Sequence, residues 1–253
     1  MFSKQSVIFS DLGRMGYRET WDLQEDLLRQ NVEAKIRKRN ASAVPVINAG
    51  GSDDSENETA HYFLMVEHPP VLTLGKSGHM ENILLSAAEL KNRGIEFYNT
   101  NRGGDITFHG PGQIVGYPIL DLEKYYTDIG RYLRNLEDII ILTLAEYGLK
   151  GERSPGETGV WLDSMVAGSE RKICAMGVRC SRWVTMHGFA FNVNTNLEYF
   201  EHIIPCGIRH KTVTSLQKEL GFELSLEEVK EKVKANFEKV FNCELVASAY
   251  PVV

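Results

Sequence analysis

A thiol, an amine and a block of glycines are the parts of this sequence that could do covalent chemistry. The thiol is Cys206, in Ile203-Ile204-Pro205-Cys206-Gly207-Ile208. Proline fixes the approach and glycine leaves the far side bare, so the spacing predicts a side chain presented on a tight turn. That local sequence fits a reactive thiol and a structural one equally. An unperturbed cysteine titrates near about 8.5, a cationic neighbour lowers it, and the thiolate is the form that attacks an acyl carbon. The leading candidate for the cation is Lys172, in Arg171-Lys172-Ile173-Cys174-Ala175-Met176-Gly177, at the entry of an apolar run. Turned inward, a lysine there would act strongly on a neighbouring thiol; left at a solvated strand end, it would not. Period-two alternation puts Lys172, Cys174 and Met176 on one side of this strand and Ile173 and Ala175 on the other. Cys174 is therefore a rival nucleophile, although its apolar setting fits a packing role better.

The glycine block is Arg102-Gly103-Gly104-Asp105-Ile106-Thr107-Phe108-His109-Gly110-Pro111-Gly112-Gln113, set between the apolar runs Ile95–Tyr98 and Ile114–Leu120. Glycine at this density weakens a sheet unless backbone must come close to something, and a bound ligand is the natural candidate. The block matches neither the GxxxxGK[ST] loop nor the GxGxxG fingerprint, which excludes both nucleotide motifs. His109 and His187 each precede glycine, a pairing that fits a ring at a turn beside a ligand, as general base or hydrogen-bond donor, and equally a plain turn. His68, His202 and His210 show no usable pattern.

These groups need a scaffold, and the periodicity supplies one. Val7–Phe9, Tyr62–Val66, Val71–Leu74, Val160–Leu162, Ile173–Arg179 and Phe189–Val193 read as strands. Tyr17–Arg37 carries Trp21, Leu28, Val32 and Ile36 at helical spacing. Ser86 with Glu89 makes a capping box, and Asp128 caps a longer helix with Ile129, Leu133, Leu136, Ile140 and Leu144 on one face and a stop at Gly148. Ser225 with Glu228 opens a C-terminal helix over 225–242, with Leu226, Val229, Val233, Phe237 and Val240 facing the core. Residues 41–60 read as a mobile polar loop. Most strands are not separated by helices, so the expected fold is α+β with a mixed β-sheet flanked by helices, in a single domain over residues 1–253.

Composition narrows the function classes. At 43% hydrophobic and 25% charged, the 253 residues suit an ordinary globular domain with a sizeable core. A net charge of −6 argues against a nucleic-acid groove. No apolar run approaches a membrane span and no secretory leader is seen, so a cytoplasmic protein is expected. The four cysteines lack zinc-type CxxC spacing and are expected as free thiols, with no metal and no cofactor.

Taken in order, the glycine block, Thr158-Gly159-Val160-Trp161, Arg171 to Arg179, Met186-His187-Gly188-Phe189-Ala190-Phe191-Asn192 and Ile204-Pro205-Cys206-Gly207-Ile208 resemble the lipoyl(octanoyl) transferase family. The resemblance runs from about Val7 to Leu220. It implies the fold of the biotin and lipoate protein ligase catalytic domain. It implies that an octanoyl group passes from acyl carrier protein, through a thioester on Cys206, to a lysine of lipoyl domains in 2-oxoacid dehydrogenases and the glycine cleavage H protein. Lys172 matches the lysine that lowers the thiol pKa. Arg102, Gly103, Gly104, Asp105, Ile106, Thr107, Phe108 and His109 match the main substrate-binding run, and Ala175-Met176-Gly177 and Gly188-Phe189-Ala190 the two shorter ones. Met176 stands where isoleucine or leucine is commoner, which keeps apolar length.

Exchange of one thioester for another is nearly balanced, so this reaction needs no ATP. Lys172 is the first choice for taking the acceptor proton, with His109 or His187 as second. Acidic protein partners call for a basic rim, for which Arg131, Arg134, Arg179, Arg182, Arg209 and Lys211 are candidates. The alternatives are an ATP-dependent lipoate or biotin ligase, which would not need Cys206, a lipoyl-domain amidotransferase, and a non-catalytic acyl-carrier-binding protein.

Overall fold

Runs of β-branched and aromatic residues set the strands, and the computed structural model, which describes residues 4–43, 58–204 and 212–248, arranges them in two sheets. In chain order the elements are β1 (Gln5–Arg14), α1 (Tyr17–Ala43), β2 (His61–Glu67), β3 (Val71–Leu74), α2 (Ala87–Asn92), β4 (Glu96–Asn99), β5 (Ile106–His109) and β6 (Gln113–Ile119). There follow α3 (Ile129–Ala145), β7 (Val160–Leu162), β8 (Arg171–Ser181), β9 (Val184–Asn192), β10 (Thr212–Val213), α4 (Leu216–Leu220), α5 (Leu226–Phe241) and β11 (Cys243–Ala247). Most of the expected 41–60 loop, together with Cys206, Gly207, Arg209, His210 and Lys211, lies outside the described residues.

The large sheet is mixed and runs β10-β8-β9-β6-β2-β1-β11, with β7 paired to β8. Its central strands β6 and β9 are buried along their whole length because helices cover both faces. On one face α3 and α5 close the main core, where the Phe63 and Phe237 rings stack at 4.2 Å. On the other, α1 packs Leu27 and Leu28 against Leu64, Val115 and Ala190. The small sheet β4-β3-β5 has its own core of Leu72, Leu90, Ile106, Phe108, Phe200 and Ile203. Local signals hold: Ser86 and Glu89 form a complete capping box on α2, while Asp128 and Ser225 cap α3 and α5. No helix among the described residues is long and apolar enough to cross a membrane.

Three expectations change. First, α1 continues to Ala43, and its buried line is Tyr17, Thr20, Gln24, Leu27, Leu28, Asn31 and Ala34, whereas Ile36 is exposed. The polar members of that line are accommodated by bonds: the Gln24 side chain accepts the His187 N–H at 2.9 Å and Asn31 accepts the Ala60 N–H at 2.8 Å. Second, His187-Gly188 is not a turn but the middle of β9, with His187 at φ +59°. Third, the register between β7 and β8 shifts between Val160 and Trp161, which pair with Cys174 and Lys172. One extra residue of β8, Ile173, is accommodated there, and such a bulge reverses the facing of the residues beyond it. Lys172 and Ala175 consequently line a cavity, while Cys174 is fully buried in the main core and the surrounding apolar atoms push its thiol pKa up. Lys172 and Cys174 therefore do not share a face.

Candidate active site

The cavity lies along the β8–β9 ladder, where Ala175 pairs with Ala190 and Gly177 with Gly188. Small side chains at these paired positions leave room above the sheet. The two glycines are also where other backbone presses in: a Cβ on Gly177 would come within 2.6 Å of the Gly103 carbonyl oxygen, and one on Gly188 would collide with that of Gly116. The glycine block forms the opposite wall. Its Gly103 N–H donates to Val178 O at 2.9 Å, and its other side is held by the N–H groups of Lys76 and Ser77, which donate to Arg102 O at 2.9 Å and Gly104 O at 3.1 Å. The cavity is narrow, with a volume of about 90 Å³.

Lys172, Thr158 and Val213 stand half-buried at one end. His187, opposite Val178 on the ladder, is 1% exposed at the other, roughly 15–20 Å away at about 3.3 Å per strand residue. Of the residues named from sequence, Arg102, Gly104, Asp105, Ile106, Thr107, His109, Lys172, Ala175, Met176, Gly177, His187, Gly188, Phe189 and Ala190 line the cavity. Gly103 and Phe108 do not: the first bonds β8 and the second is fully buried in the small-sheet core, stacked on Tyr199. Tyr17, Val115, Tyr117, Phe200 and Val213 line it without having been singled out in the sequence.

A hydrogen-bond chain of defined polarity runs beside this cavity. Arg102 Nη2 donates to Thr73 O at 2.6 Å and to its hydroxyl at 3.0 Å. Gln113 Oε1 can only accept, so His109 carries its proton on Nδ1 (2.9 Å) and its Nε2 accepts from the Thr73 hydroxyl (3.3 Å). Gln113 Nε2 donates to Asn192 Oδ1 at 2.9 Å, and Asn192 Nδ2 donates to Thr214 O at 3.0 Å. Burial, reinforced by His68 and Arg102, holds the His109 pKa well below the usual range. Both its ring nitrogens are engaged, and the ring is neutral at physiological pH. Substituting Gln113 by leucine strands the His109 N–H and the Asn192 and Phe108 oxygens. We expect about 2–4 kcal/mol lower stability, read as a lower urea midpoint at unchanged slope; an unchanged midpoint would show that the chain carries no load.

His187 is held by a second network. Its Nε2 lies 2.8 Å from Asn101 Oδ1, Asn101 Nδ2 donates to Glu25 at 2.7 Å, and Arg179 donates to the same Glu25 oxygen at 2.7 Å. Nε2 thus carries the proton, and the buried Nδ1 has no hydrogen-bond partner among the described residues. Burial, then Arg102 and Arg179, lower its pKa to about 3, so it is neutral and a weak base at physiological pH. Of the expected basic rim, Arg179 is tied to Glu25, Arg134 to Glu137, and Arg131 lies over the Tyr126 ring at 4.2 Å. Arg182 lines a separate surface hollow with Lys35 and Asp121.

The described residues flanking the Cys206 stretch are anchored on this same cavity. Ile204 N–H donates to Asn82 O at 2.8 Å, and Asn82 Nδ2 donates to Asp105 at 2.8 Å. On the far side, Thr214 N–H donates to Lys172 O at 2.9 Å, and β10 runs parallel to β8 at Arg171 and Lys172. Phe200 and Val213, before and after the stretch, both line the cavity.

The chain, with its mixed sheet and glycine-walled slot, belongs to a known family: the model of the lipoyl protein ligase A/B catalytic domain matches residues 17–238. The chain is 58% identical to the octanoyltransferase of Christiangramia forsetii, over 95% of this chain and 98% of that protein. It is 54% identical to that of Flavobacterium psychrophilum, over 96% and 99%. In fold it is similar to the bi-partite lipoate protein ligase of Thermoplasma acidophilum, with a TM-score of 0.64 at 16% identity over 98% of this chain and 87% of that one.

Proposed function

We propose that the octanoyl transfer this enzyme performs in lipoate biosynthesis runs from acyl carrier protein through a thioester on Cys206 to the lysine of a lipoyl domain, with Lys172 as the proton carrier. The transferase activity itself rests on octanoyltransferases more than half identical over nearly the whole chain. The observation that carries the thioester route is the meeting at one cavity of Lys172, the glycine block and both anchors of the Cys206 stretch.

The acyl tail lies among Ile106, Val115, Met176, Phe189 and Phe200, and each methylene it buries contributes about 0.8 kcal/mol. The Cys206 thiolate attacks the thioester carbon, the new C–S bond forms, and the carrier sulfur leaves with a proton from the Lys172 ammonium. The neutral acceptor amine then attacks the Cys206 thioester. Its C–N bond forms, its surplus proton passes to Lys172, and Cys206 departs as thiolate. Both groups end in their starting states, and the thioester of the carrier supplies the driving force, so no nucleotide is consumed. His109 and His187 shape and polarise the slot rather than move protons. Arg102 fixes the wall by its bonds to Thr73. The whole chain serves as one catalytic domain, the carrier and H proteins are among its partners, and a cytoplasmic setting suits a working thiol.

The test is incubation with octanoyl acyl carrier protein, without ATP, followed by intact mass and peptide mapping. One octanoyl adduct on Cys206, discharged by a lipoyl domain, is expected. An adduct that forms only with ATP favours the ligase alternative, and an adduct on Cys174 assigns the wrong sulfur here.

A further inference from the structure

The stretch Thr158-Gly159-Val160-Trp161 has no part in the steps above, yet its geometry converges on Lys172. Gly159 sits at φ +110°, and a Cβ there would lie 2.5 Å from the Cys174 carbonyl oxygen and 3.6 Å from Lys172 Cε. Only glycine lets this backbone adopt that angle and lie flat against β8. Glu137 of α3, its side chain fully buried, accepts the Gly159 N–H at 3.1 Å. That carboxylate is itself held by Arg134 at 2.7 Å and Arg153 at 2.8 Å. Two residues on, at the bulge, Trp161 pairs with Lys172. The Lys172 Nζ stands 4.5 Å from the centre of the Trp161 ring, within the range of an ammonium on an aromatic face. Trp161 is 3% exposed, so the ring has little freedom to leave.

We propose that Trp161 is a positioning residue of the transfer reaction: its indole face holds the Lys172 ammonium at the point where thiol and amine must meet it, and the Glu137–Gly159 bond sets the ring. This rests on the reading of Lys172 given above. The attraction comes from the negative potential over the ring face and therefore depends on the ring's electrons as well as its bulk. A packing role would depend on bulk alone.

Two sets of variants separate these. In steady-state transfer from octanoyl carrier protein to a lipoyl domain, Trp161→Leu is expected to lower kcat about tenfold with KM for either protein within about twofold. Trp161→Phe, which keeps a ring face, is expected to retain most of kcat. Equal losses in both, or a Trp161→Leu enzyme with full kcat, would overturn the proposal. Fluorinated tryptophans placed at position 161 alone keep the fold and weaken the ring face in steps. A stepwise fall of kcat supports the proposal even where the leucine variant does not fold, and a flat series overturns it. Lys172→Ala run alongside tells the two readings apart. Full transfer by that variant removes both, whereas a dead Lys172→Ala with a flat fluorination series removes only the role of Trp161.

Discussion

Replacing Cys206 by serine, or Lys172 by alanine, is expected to lower octanoyl transfer by about a thousandfold or more, and by two distinguishable routes. Thiolate is intrinsically far more nucleophilic than a hydroxyl, so the serine variant should accumulate no acyl adduct at any pH. On the proposed route the lysine variant keeps the nucleophile and loses the proton carrier, whose kind of contribution is typically about 10²–10⁴. On the same proposed route the thiol also loses a cationic neighbour, and a cysteine without one titrates near about 8.5. The thiolate fraction falls tenfold for each unit that the pH lies below that value. The single-turnover acylation defect of Lys172→Ala should accordingly be worst near pH 6 and shrink as the pH approaches 9. An acylation profile parallel to that of the wild-type enzyme would remove the electrostatic role of Lys172. Because both groups act in one cycle, the double variant should be hardly worse than Cys206→Ser alone.

Acid should unfold this protein well above the pH at which its carboxylates titrate. Four histidines are buried and neutral. Burial depresses His61 and His68 to about 4 and His187 to about 3, and holds His109 well below the ordinary range. Above about pH 6.5 all four are neutral both in the fold and in the unfolded chain, and nothing is lost. As the pH falls below that value the unfolded chain takes up protons that the fold refuses. Each histidine then removes about 1.4 kcal/mol of stability per pH unit until its folded pKa is reached. At pH 5 that is about 2 kcal/mol each and about 6 kcal/mol for His61, His68 and His187, with His109 acting in the same direction, against a typical total of about 5–15 kcal/mol. Ion-paired carboxylates such as Glu219, held below their ordinary range by Arg171, contribute only at lower pH. Urea midpoints followed by circular dichroism should be flat from pH 8 to 7 and fall steeply from 6.5 to 5. A midpoint that holds to pH 5 would mean that these rings are not neutral in the fold.

The acid sensitivity and the catalytic slot come from the same packing. His68, His109 and Tyr17 form one buried aromatic group, with ring centres 5.3–5.9 Å apart. His68 donates to Met15 O through Nδ1 and accepts the Tyr117 hydroxyl at 2.9 Å through Nε2. The neutral imidazole and phenols of His109, Tyr17 and Tyr117 offer fixed dipoles to the cavity, beside the Arg102 and Asp105 side chains that also line it.

What the amino-acid order determined by itself was everything settled within a few residues: the caps at Ser86, Asp128 and Ser225, the core faces of α3 and α5, most strands, and the small residues Ala175, Gly177, Gly188 and Ala190 that floor the slot. Caps and periodicity act over one or two turns, so neighbouring residues carry the signal. Facing and partnership are different. Alternation alone put Lys172 beside Cys174, and a single bulge at Ile173, where β8 pairs with β7, sent one to the cavity and the other to the core. No local pattern singles out Gln24, Asn82, Asn101 and Glu137, whose partners in the fold are β9, the glycine block, His187 and Gly159. Buried polar groups are stable only through partners distant in the chain, and no local pattern encodes a partner that register and packing have yet to bring near.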